Sequence, residues 1–310
     1  MDLQETQSLL FDLIAIDSTS HRSNEPIVSY IANRLSGSDV RCYTLPSKEE
    51  GKFNLVALKG DPRDDGSGLT LCGHMDTVPA DSAQWESDPW KLTSRDERWY
   101  ARGSCDMKGF LAIAIHAIQI TETTNAPLAL LLTCDEELGS FGAQHIVEHG
   151  LPIPLPNQVI IGEPTSLQVV RLHKGHLSMR VDIKGVAAHT GAPHLGKNAV
   201  IAASTVAVAL SELASVFETE RTEESAHFTE ESAFPVLTVS TMQGGSAINV
   251  VPDHCSLGLG LRLLPDQDQD ETVSRLRQTI EQSCELPWTL TMLGDNPTLL
   301  TNKSAPINQW

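Results

Sequence analysis

The spacing of apolar positions changes along the chain and divides it into two regions. Before residue 173, segments with helical spacing, such as 5–16 and 25–35, alternate with short continuous apolar runs, such as 53–60 and 127–134. Apolar residues at i, i+3 and i+4 predict amphipathic helices, whereas short continuous apolar runs predict strands buried on both faces. Helices that alternate with buried strands predict an α/β domain built on a mainly parallel sheet.

The second region has the pattern of a different kind of domain. Residues 176–185 (HLSMRVDIKG) and 236–245 (VLTVSTMQGG) alternate apolar and polar positions, which predicts half-exposed antiparallel strands. Helical spacing returns in residues 198–217 and 269–283. We therefore predict an α/β domain over residues 1–173, continued by 288–310, and an inserted α+β domain over residues 174–287.

The overall charge of the chain is strongly negative. Its 310 residues include 22 Lys and Arg against 40 Asp and Glu, giving a formal net charge of −18. A nucleic-acid partner is not expected, because binding phosphates requires a cluster of basic side chains. The six cysteines are scattered without a CxxC pair, so they do not indicate a disulfide framework.

Neither a secretory signal nor a membrane span is predicted. The first residues, MDLQETQSLL, lack the basic region that begins a signal peptide. The longest candidate run that we identify, residues 110–120, is shorter than the ~18 apolar residues that a spanning helix requires. We therefore expect a soluble, cytoplasmic protein with no membrane partner.

One predicted strand ends with two polar residues that are spaced two apart, in the stretch LCGHMDTVPA (71–80). Positions i and i+2 of a strand lie on the same face, so His74 and Asp76 can touch or flank one point. That arrangement suits a metal-binding imidazole whose other nitrogen is held by a carboxylate. A polar strand end that faces water explains the same pattern, and these two residues alone favour that interpretation over a metal site.

Acidic residues also follow other predicted strands, or occur in turns next to them. The carboxyl ends of parallel strands form the ligand crevice of an α/β sheet, so these groups are expected to converge. Like charges gathered there repel one another unless a cation lies among them. Imidazole and carboxylate ligands suit zinc, and cobalt or manganese would also fit. The groups are His74 with Asp76, Asp106, Glu136 with Glu137, and Glu163.

Four motifs follow one another along the chain: GHMDTVP (73–79), RGSCDMKG (102–109), CDEELGS (134–140) and IGEPTS (161–166). In order and spacing they resemble the M20 family of metallopeptidases and amidohydrolases, and the resemblance covers essentially the whole chain. It implies a zinc-peptidase-like catalytic domain with a mainly parallel sheet, and an inserted α+β lid and dimerisation domain. It also implies a homodimer, a small N-acyl amino acid as substrate, and two divalent metal ions, zinc or cobalt.

The resemblance implies which residues hold these ions. His74 and Glu163 would bind the first ion, Glu137 would bind the second, and Asp106 would bridge the two. A cis peptide bond is expected after Asp106. Relatives supply a final histidine to the second ion, but no histidine follows His254, which belongs to the inserted domain. We therefore expect the second site to be weakened in this chain.

The resemblance also implies roles for residues that do not bind metal. Asp76 would orient His74, and Glu136 would act as the general base that takes a proton from water and passes it to the leaving amine. His189 would stabilise the oxyanion across a dimer interface. Asn249 and Arg262 would bind the carboxylate of the substrate. A desuccinylase or dipeptidase of the same family is one alternative, and an impaired relative that only binds its ligand is another.

Overall fold

The computed structural model describes residues 2–122 and 126–309. The chain divides into two compact units, Met1–Val169 with Ser304–Trp310, and Val170–Lys303. The elements of the first unit are α1 (Leu3–Ala15), α2 (Glu25–Leu35), β1 (Val40–Pro46), β2 (Phe53–Lys59), β3 (Leu69–His74), β4 (Thr93–Arg95), β5 (Arg98–Tyr100), α3 (Lys108–Ile120), β6 (Leu128–Thr133), α4 (Phe141–His149) and β7 (Gln158–Ile161).

The central sheet of the first unit has five strands in the order β1-β2-β6-β3-β7. β3 is parallel to β6 and β7, whereas β2 is antiparallel to β1 and β6. Four strands therefore run in the same direction, and the predicted mainly parallel sheet is confirmed. His74 ends β3 opposite Thr133, the last residue of β6, so the segments after both strands emerge at the same edge.

The core of the first unit lies between this sheet and helices α1, α2 and α3. The helices bury the apolar stripes that their spacing predicts, and the strands β2 and β6 are buried along most of their length. Fully buried members of this core include Leu13, Ile31, Leu55, Leu111 and Leu130. Burying each such side chain contributes ~1.5–3 kcal/mol, so this packing holds the strand ends in place.

The second unit is an antiparallel sheet with two main helices. Its elements are β8 (Leu172–His173), β9 (Gly175–Lys184), β10 (Ala188–His189), α5 (Ala199–Phe217), β11 (Val236–Gly244), β12 (Val250–Val251), β13 (His254–Leu263), α6 (Gln269–Ser283), β14 (Trp288–Asn296) and β15 (Leu299–Leu300). The four long strands pair in the order β11-β13-β9-β14. Alternate residues of β9 and β13 are buried, as their alternating sequence predicts, and they form one core with α5 and α6.

The end of the second unit differs from the sequence-based prediction. We predicted that residues 288–310 continue the first domain, but Trp288–Asn296 pairs antiparallel with β9. Without β14, β9 would be an edge strand with a row of unpaired backbone groups, which is unfavourable for a buried strand. The first unit resumes at Ser304, and the second unit begins at Val170 instead of residue 174.

Helix α5 is a longer apolar segment than residues 110–120, which the sequence analysis named as the longest candidate for a membrane span. Over its 19 residues it has a mean hydropathy of 1.9, which is sufficient by length and composition to cross a membrane. One face of the helix, including Ala203, Val206 and Leu210, packs in the core of the second unit. Only 22% of the tested window is buried within the structure, so apolar residues of α5 also lie outside this packed face.

Candidate metal centre

The imidazole of His74 lies at the end of β3 and faces two carboxylates. Its Nε2 atom is 2.9 Å from Asp106 Oδ1 and 3.8 Å from Glu163 Oε1. The side chain of His74 is only 1% exposed, whereas those of Asp106 and Glu163 are 50% and 41% exposed. One ligand atom of each residue lies within 4.8 Å of the others. A buried imidazole and two half-exposed carboxylates therefore meet at the carboxyl edge of the sheet.

The other nitrogen of His74 faces Asp76. His74 Nδ1 is 3.0 Å from the backbone oxygen of Asp76 and 3.5 Å from its carboxylate Oδ1. Both partners are acceptors, so Nδ1 carries a proton and donates it toward Asp76, which leaves Nε2 as the ligand atom. Burial lowers the pKa of His74, but Asp76, Glu163 and Asp106 outweigh burial and raise that pKa to about 10. This excess of negative charge around one imidazole favours a cation at Nε2.

The carboxylate of Asp76 also holds the turn that follows β6. It accepts hydrogen bonds from the backbone N–H groups of Glu136 and Glu137, at 3.1 and 3.2 Å, and from the hydroxyl of Ser20 at 2.7 Å. Residues Glu136–Leu138 form a single 3₁₀ turn whose preceding residue, Asp135, has a left-handed backbone. An anion at the start of such a turn satisfies backbone donors that have no other partner. Asp76 thus positions both glutamates.

Both glutamates of this turn come close to His74. Ligand atoms of His74, Glu136 and Glu137 lie within 4.8 Å of one another. Burial raises the pKa of Glu136, and the charges of Asp76 and Asp106 add to that increase, although His74 opposes it. The pKa of Glu163 is also raised, first by burial and then by the neighbouring carboxylates. Burial first, and the neighbouring carboxylates after it, therefore disfavour the charged forms of Glu136 and Glu163.

The donor set of this cluster fits divalent metal ions. It combines one imidazole with several carboxylates, which is the ligand type that zinc and similar borderline cations take. Burial raises the pKa values of Glu136, Glu137 and Glu163, and the neighbouring carboxylates raise them further, so a cation among these groups favours their charged forms. His74, Asp106 and Glu163 form one group of possible ligands, and His74 with the two glutamates forms the other. The peptide bond between Asp106 and Met107 is cis, as we expected.

A second layer of buried polar residues was missed by the sequence-based reasoning. Lys52 Nζ donates to Asp135 Oδ1 at 2.6 Å and to the backbone oxygen of Ser20, and both side chains of this ion pair are at most 6% exposed. Asn54 accepts a hydrogen bond from the backbone N–H of Cys134 at 3.0 Å and donates to Gly142 O at 3.1 Å. These contacts hold both ends of the turn that carries the two glutamates. A polar asparagine inside the apolar run FNLVALK is the one signal that could have indicated this layer.

In the second unit, the structure brings His189 and Asn249 together. His189 pairs with Val250, and the backbone N–H of Thr190 donates to Asn249 O at 3.1 Å. His189 Nδ1 accepts a hydrogen bond from the N–H of Gly191 at 3.0 Å. The proton of the neutral imidazole therefore lies on Nε2, which makes Nε2 a donor. Both side chains are exposed.

Arg262 lies at the other end of the same unit. It is near the end of β13 and pairs with His176 of β9. Burial lowers the pKa of His176 and of Lys174, and the positive charge of Arg262 lowers both pKa values further. A strand rises ~3.4 Å per residue, so the eight residues from His254 to Arg262 span roughly 27 Å. Arg262 therefore lies far along β13 from His254, at the end of the strand that pairs with His176.

The sheet of the first unit and the acidic cluster at its carboxyl edge define a metal-dependent hydrolase. Residues 70–292 match the model of the peptidase family M20/M25/M40. The chain is 38% identical over 283 residues to an acetylornithine deacetylase of Myxococcus xanthus, in an alignment that covers 90% of this chain and 72% of the relative. With these matches, the chain belongs to the peptidase family M20/M25/M40, whose members hydrolyse amide bonds.

Other comparisons agree with this assignment. An acetylornithine deacetylase of Proteus mirabilis is 34% identical over 270 residues, which cover 86% of this chain and 67% of the relative. The crystal structure of an M20 family metallo-carboxypeptidase from Sulfolobus solfataricus superposes with a TM-score of 0.77 at 20% identity. That superposition covers 100% of this chain and 82% of the other, and at this identity it shows the fold alone.

Proposed function

We propose that the chain hydrolyses N2-acetyl-L-ornithine to acetate and L-ornithine, as an acetylornithine deacetylase of arginine biosynthesis in the cytoplasm. The observation that carries the proposal is the cluster of His74, Asp106 and Glu163 beside the Glu136–Glu137 turn. The names of the curated relatives support the choice of substrate. So do the stretches GEPTSLQ and HKGH, which within the family most resemble acetylornithine deacetylase.

We propose two divalent metal ions, zinc or cobalt, as cofactors. His74 and Glu163 would hold the first, Glu137 would hold the second, and Asp106 would serve both. When bound, such ions polarise the amide carbonyl and lower the pKa of water, which makes hydrolysis possible near neutral pH. The buried Nδ1 contact of His74 with Asp76 keeps Nε2 directed at the first site.

Glu136 is the proposed general base. Its raised pKa moves it toward the range in which a carboxylate can take a proton from water and return it to a leaving amine. Asp76 holds the backbone N–H of Glu136, and we assign the carboxylate of Glu136 to proton transfer instead of metal binding. Of the two adjacent glutamates, Glu137 is thus the proposed metal ligand and Glu136 the proposed group that transfers protons.

His189, Asn249 and Arg262 are the proposed substrate-binding residues of the second unit. The Nε2–H of His189 is a suitable donor to a developing oxyanion, because Gly191 occupies Nδ1. We assign Asn249 and Arg262 to the carboxylate of the substrate, and Lys174 near Arg262 adds positive charge for that purpose. We assign the His189 and the Arg262 of one substrate site to different subunits of the proposed dimer.

We propose a homodimer that forms through α5 and the edge strand β11. The solvent-facing stripe of α5 carries apolar residues between small polar ones, and Ile201, Val208 and Val216 are 64%, 61% and 50% exposed. Such an apolar stripe on a surface helix is typical of helix–helix association. Among the strands that the structure describes, β11 lies at one edge of the sheet, and an edge strand can pair with another chain.

Metal content and turnover together separate the proposed function from its alternatives. The 310-residue chain should hydrolyse N-acetylornithine when zinc or cobalt is supplied, and should prefer it over N-succinyl-diaminopimelate and dipeptides. Preference for the succinylated substrate or for a dipeptide would favour another M20 peptidase. Metal binding without turnover of any of these substrates would favour an impaired relative that only binds its ligand.

Replacing Glu163 with glutamine should weaken the binding of one metal ion at least ~100-fold, since loss of an outer-shell partner alone costs 10–100-fold. The change removes the charge of one proposed ligand at nearly constant size. Zinc titration against a chromophoric chelator measures the effect, with Glu50→Gln, an exposed residue, as control. Unchanged zinc affinity in Glu163→Gln would contradict the assignment of Glu163 as a ligand.

A mixture of two inactive variants tests the proposed dimer. His189→Ala should lower kcat ~10²–10³-fold, as removal of one oxyanion donor does, with unchanged metal content. Heterodimers of His189→Ala with Glu136→Gln contain one site with both residues intact, so mixing should restore up to a quarter of wild-type activity per chain. No recovery after subunit exchange, verified by differently tagged chains, would mean that His189 does not serve a partner's site.

A further inference from the structure

We propose that helix α4 carries a second, separate zinc-binding site made of His145, Glu148 and His149. These residues lie at positions i, i+3 and i+4, which share one face of a helix. One ligand atom from each lies within 4.8 Å of the others. The group shares no residue with the proposed catalytic metal centre around His74.

The two imidazoles are already arranged as a pair. Their rings stack with centroids 4.0 Å apart and planes inclined by 28°. His149 Nδ1 donates to the backbone oxygen of His145 at 3.0 Å, so the neutral ring has its free lone pair on Nε2. A hydrogen bond from the other ring nitrogen to a backbone carbonyl is the usual way in which a metal-binding histidine is oriented.

The donor set and its place on the helix both favour a divalent cation. Two histidines and one glutamate are a common three-ligand set of zinc sites that keep a fourth position open. The order His-x-x-Glu-His on a helix also occurs in one class of zinc metallopeptidases. In the related motif His-Glu-x-x-His the two histidines bind the ion and the glutamate is the general base, so this likeness supports His145 and His149 as ligands. His149 is the last residue of α4, and the negative end of the helix dipole attracts positive charge there.

The surroundings leave room for the open coordination position. A cavity of about 290 Å³ is lined by His145, His149, Leu45, Pro46 and Asn54, among others. Both imidazoles border this cavity, and water molecules or a small anion fit in it. Glu148 and His149 are exposed and His145 is half-buried, so zinc can reach all three ligands without unfolding the helix.

Counting zinc equivalents in matched variants tests this site. Zinc is titrated into the 310-residue chain in competition with a chromophoric chelator, and His145→Gln/His149→Gln is compared with the wild type. The double variant should bind one equivalent less, and Glu148→Gln should keep that equivalent with about tenfold weaker affinity. His21→Gln, which removes another exposed histidine, should match the wild type. Equal stoichiometry and affinity in the wild type and the double variant would overturn the proposal.

Hydrogen exchange places the extra ion on the helix. Zinc should slow amide exchange in Phe141–His149 more in the wild type than in the double variant, because binding stabilises the helix that holds the ligands. His149→Cys, which keeps a zinc ligand at that position, should retain both the equivalent and the protection. Equal protection of α4 by zinc in the wild type and the double variant would contradict the site, and melting without metal checks that each variant folds.

Discussion

Glu136→Gln is expected to lower kcat for N-acetylornithine by ~10²–10⁴-fold, which is the usual contribution of a general base. Glutamine keeps the size of the side chain and the backbone N–H that donates to Asp76, so the turn should stay in place. The amide cannot take a proton from water at neutral pH. The proposed metal ligands His74, Asp106 and Glu163 are untouched, and metal content should therefore remain that of the wild type.

The adjacent residue provides the matched control. Glu137→Gln alters the same turn by the same chemical change, and its backbone N–H also donates to Asp76. It should lose metal as well as activity, and excess metal should restore part of the activity. Steady-state kinetics with metal analysis after dialysis distinguishes the two variants. Loss of metal in Glu136→Gln, with retention in Glu137→Gln, would reverse the roles of the two glutamates.

The strand ends and their acidic residues could be predicted from the sequence because they depend on local pattern. Buried runs such as residues 127–134 predict strands wherever they occur, and parallel strands bring the residues after them to one edge. His74 ends one such strand, and Glu136 and Glu163 follow two others, so their convergence follows from topology. The order and spacing of the four motifs then indicated which family of proteins has this arrangement.

The buried contacts behind the turn could not be predicted in this way. Lys52 and Asp135 are 83 positions apart in the chain, and the sequence around each residue does not indicate that the two pair. A charged residue next to a strand predicts exposure in most proteins, because an unpaired buried charge is very unfavourable. Asp76 was expected to act mainly on His74, yet its carboxylate also accepts from two backbone amides of the turn.

The predicted boundary of the second unit was wrong for a related reason. The segment WTLTMLGDN alternates like an edge strand, but the pattern does not say which sheet it joins. Its partner is β9, more than a hundred residues earlier, and the pairing depends on a free edge that only the assembled sheet reveals. The local sequence predicts that a segment forms a strand, but it does not predict the strand with which that segment pairs.

The largest effect on stability is expected from Lys52→Met. Methionine fills a similar volume but leaves the carboxylate of Asp135 buried without its cation, and breaking one side of a buried pair costs ~3–5 kcal/mol. The free energy of unfolding of the first unit should fall by that amount in denaturant melts, performed with a chelator so that bound metal does not mask the change. Arg41→Met, which breaks the exposed pair with Asp61, should have a far smaller effect.

Removing both charges separates the ion pair from simple packing. Lys52→Met/Asp135→Leu should recover most of the lost stability, since a buried pair replaced by apolar residues is often neutral. Activity should not recover to the same extent, because Asp135 precedes Glu136 in the turn and Lys52 also donates to the backbone of Ser20, whose hydroxyl contacts Asp76. A double variant as unstable as Lys52→Met would show that the lysine acts through its packing. Full recovery of kcat would show that the pair stabilises the fold without positioning the glutamates.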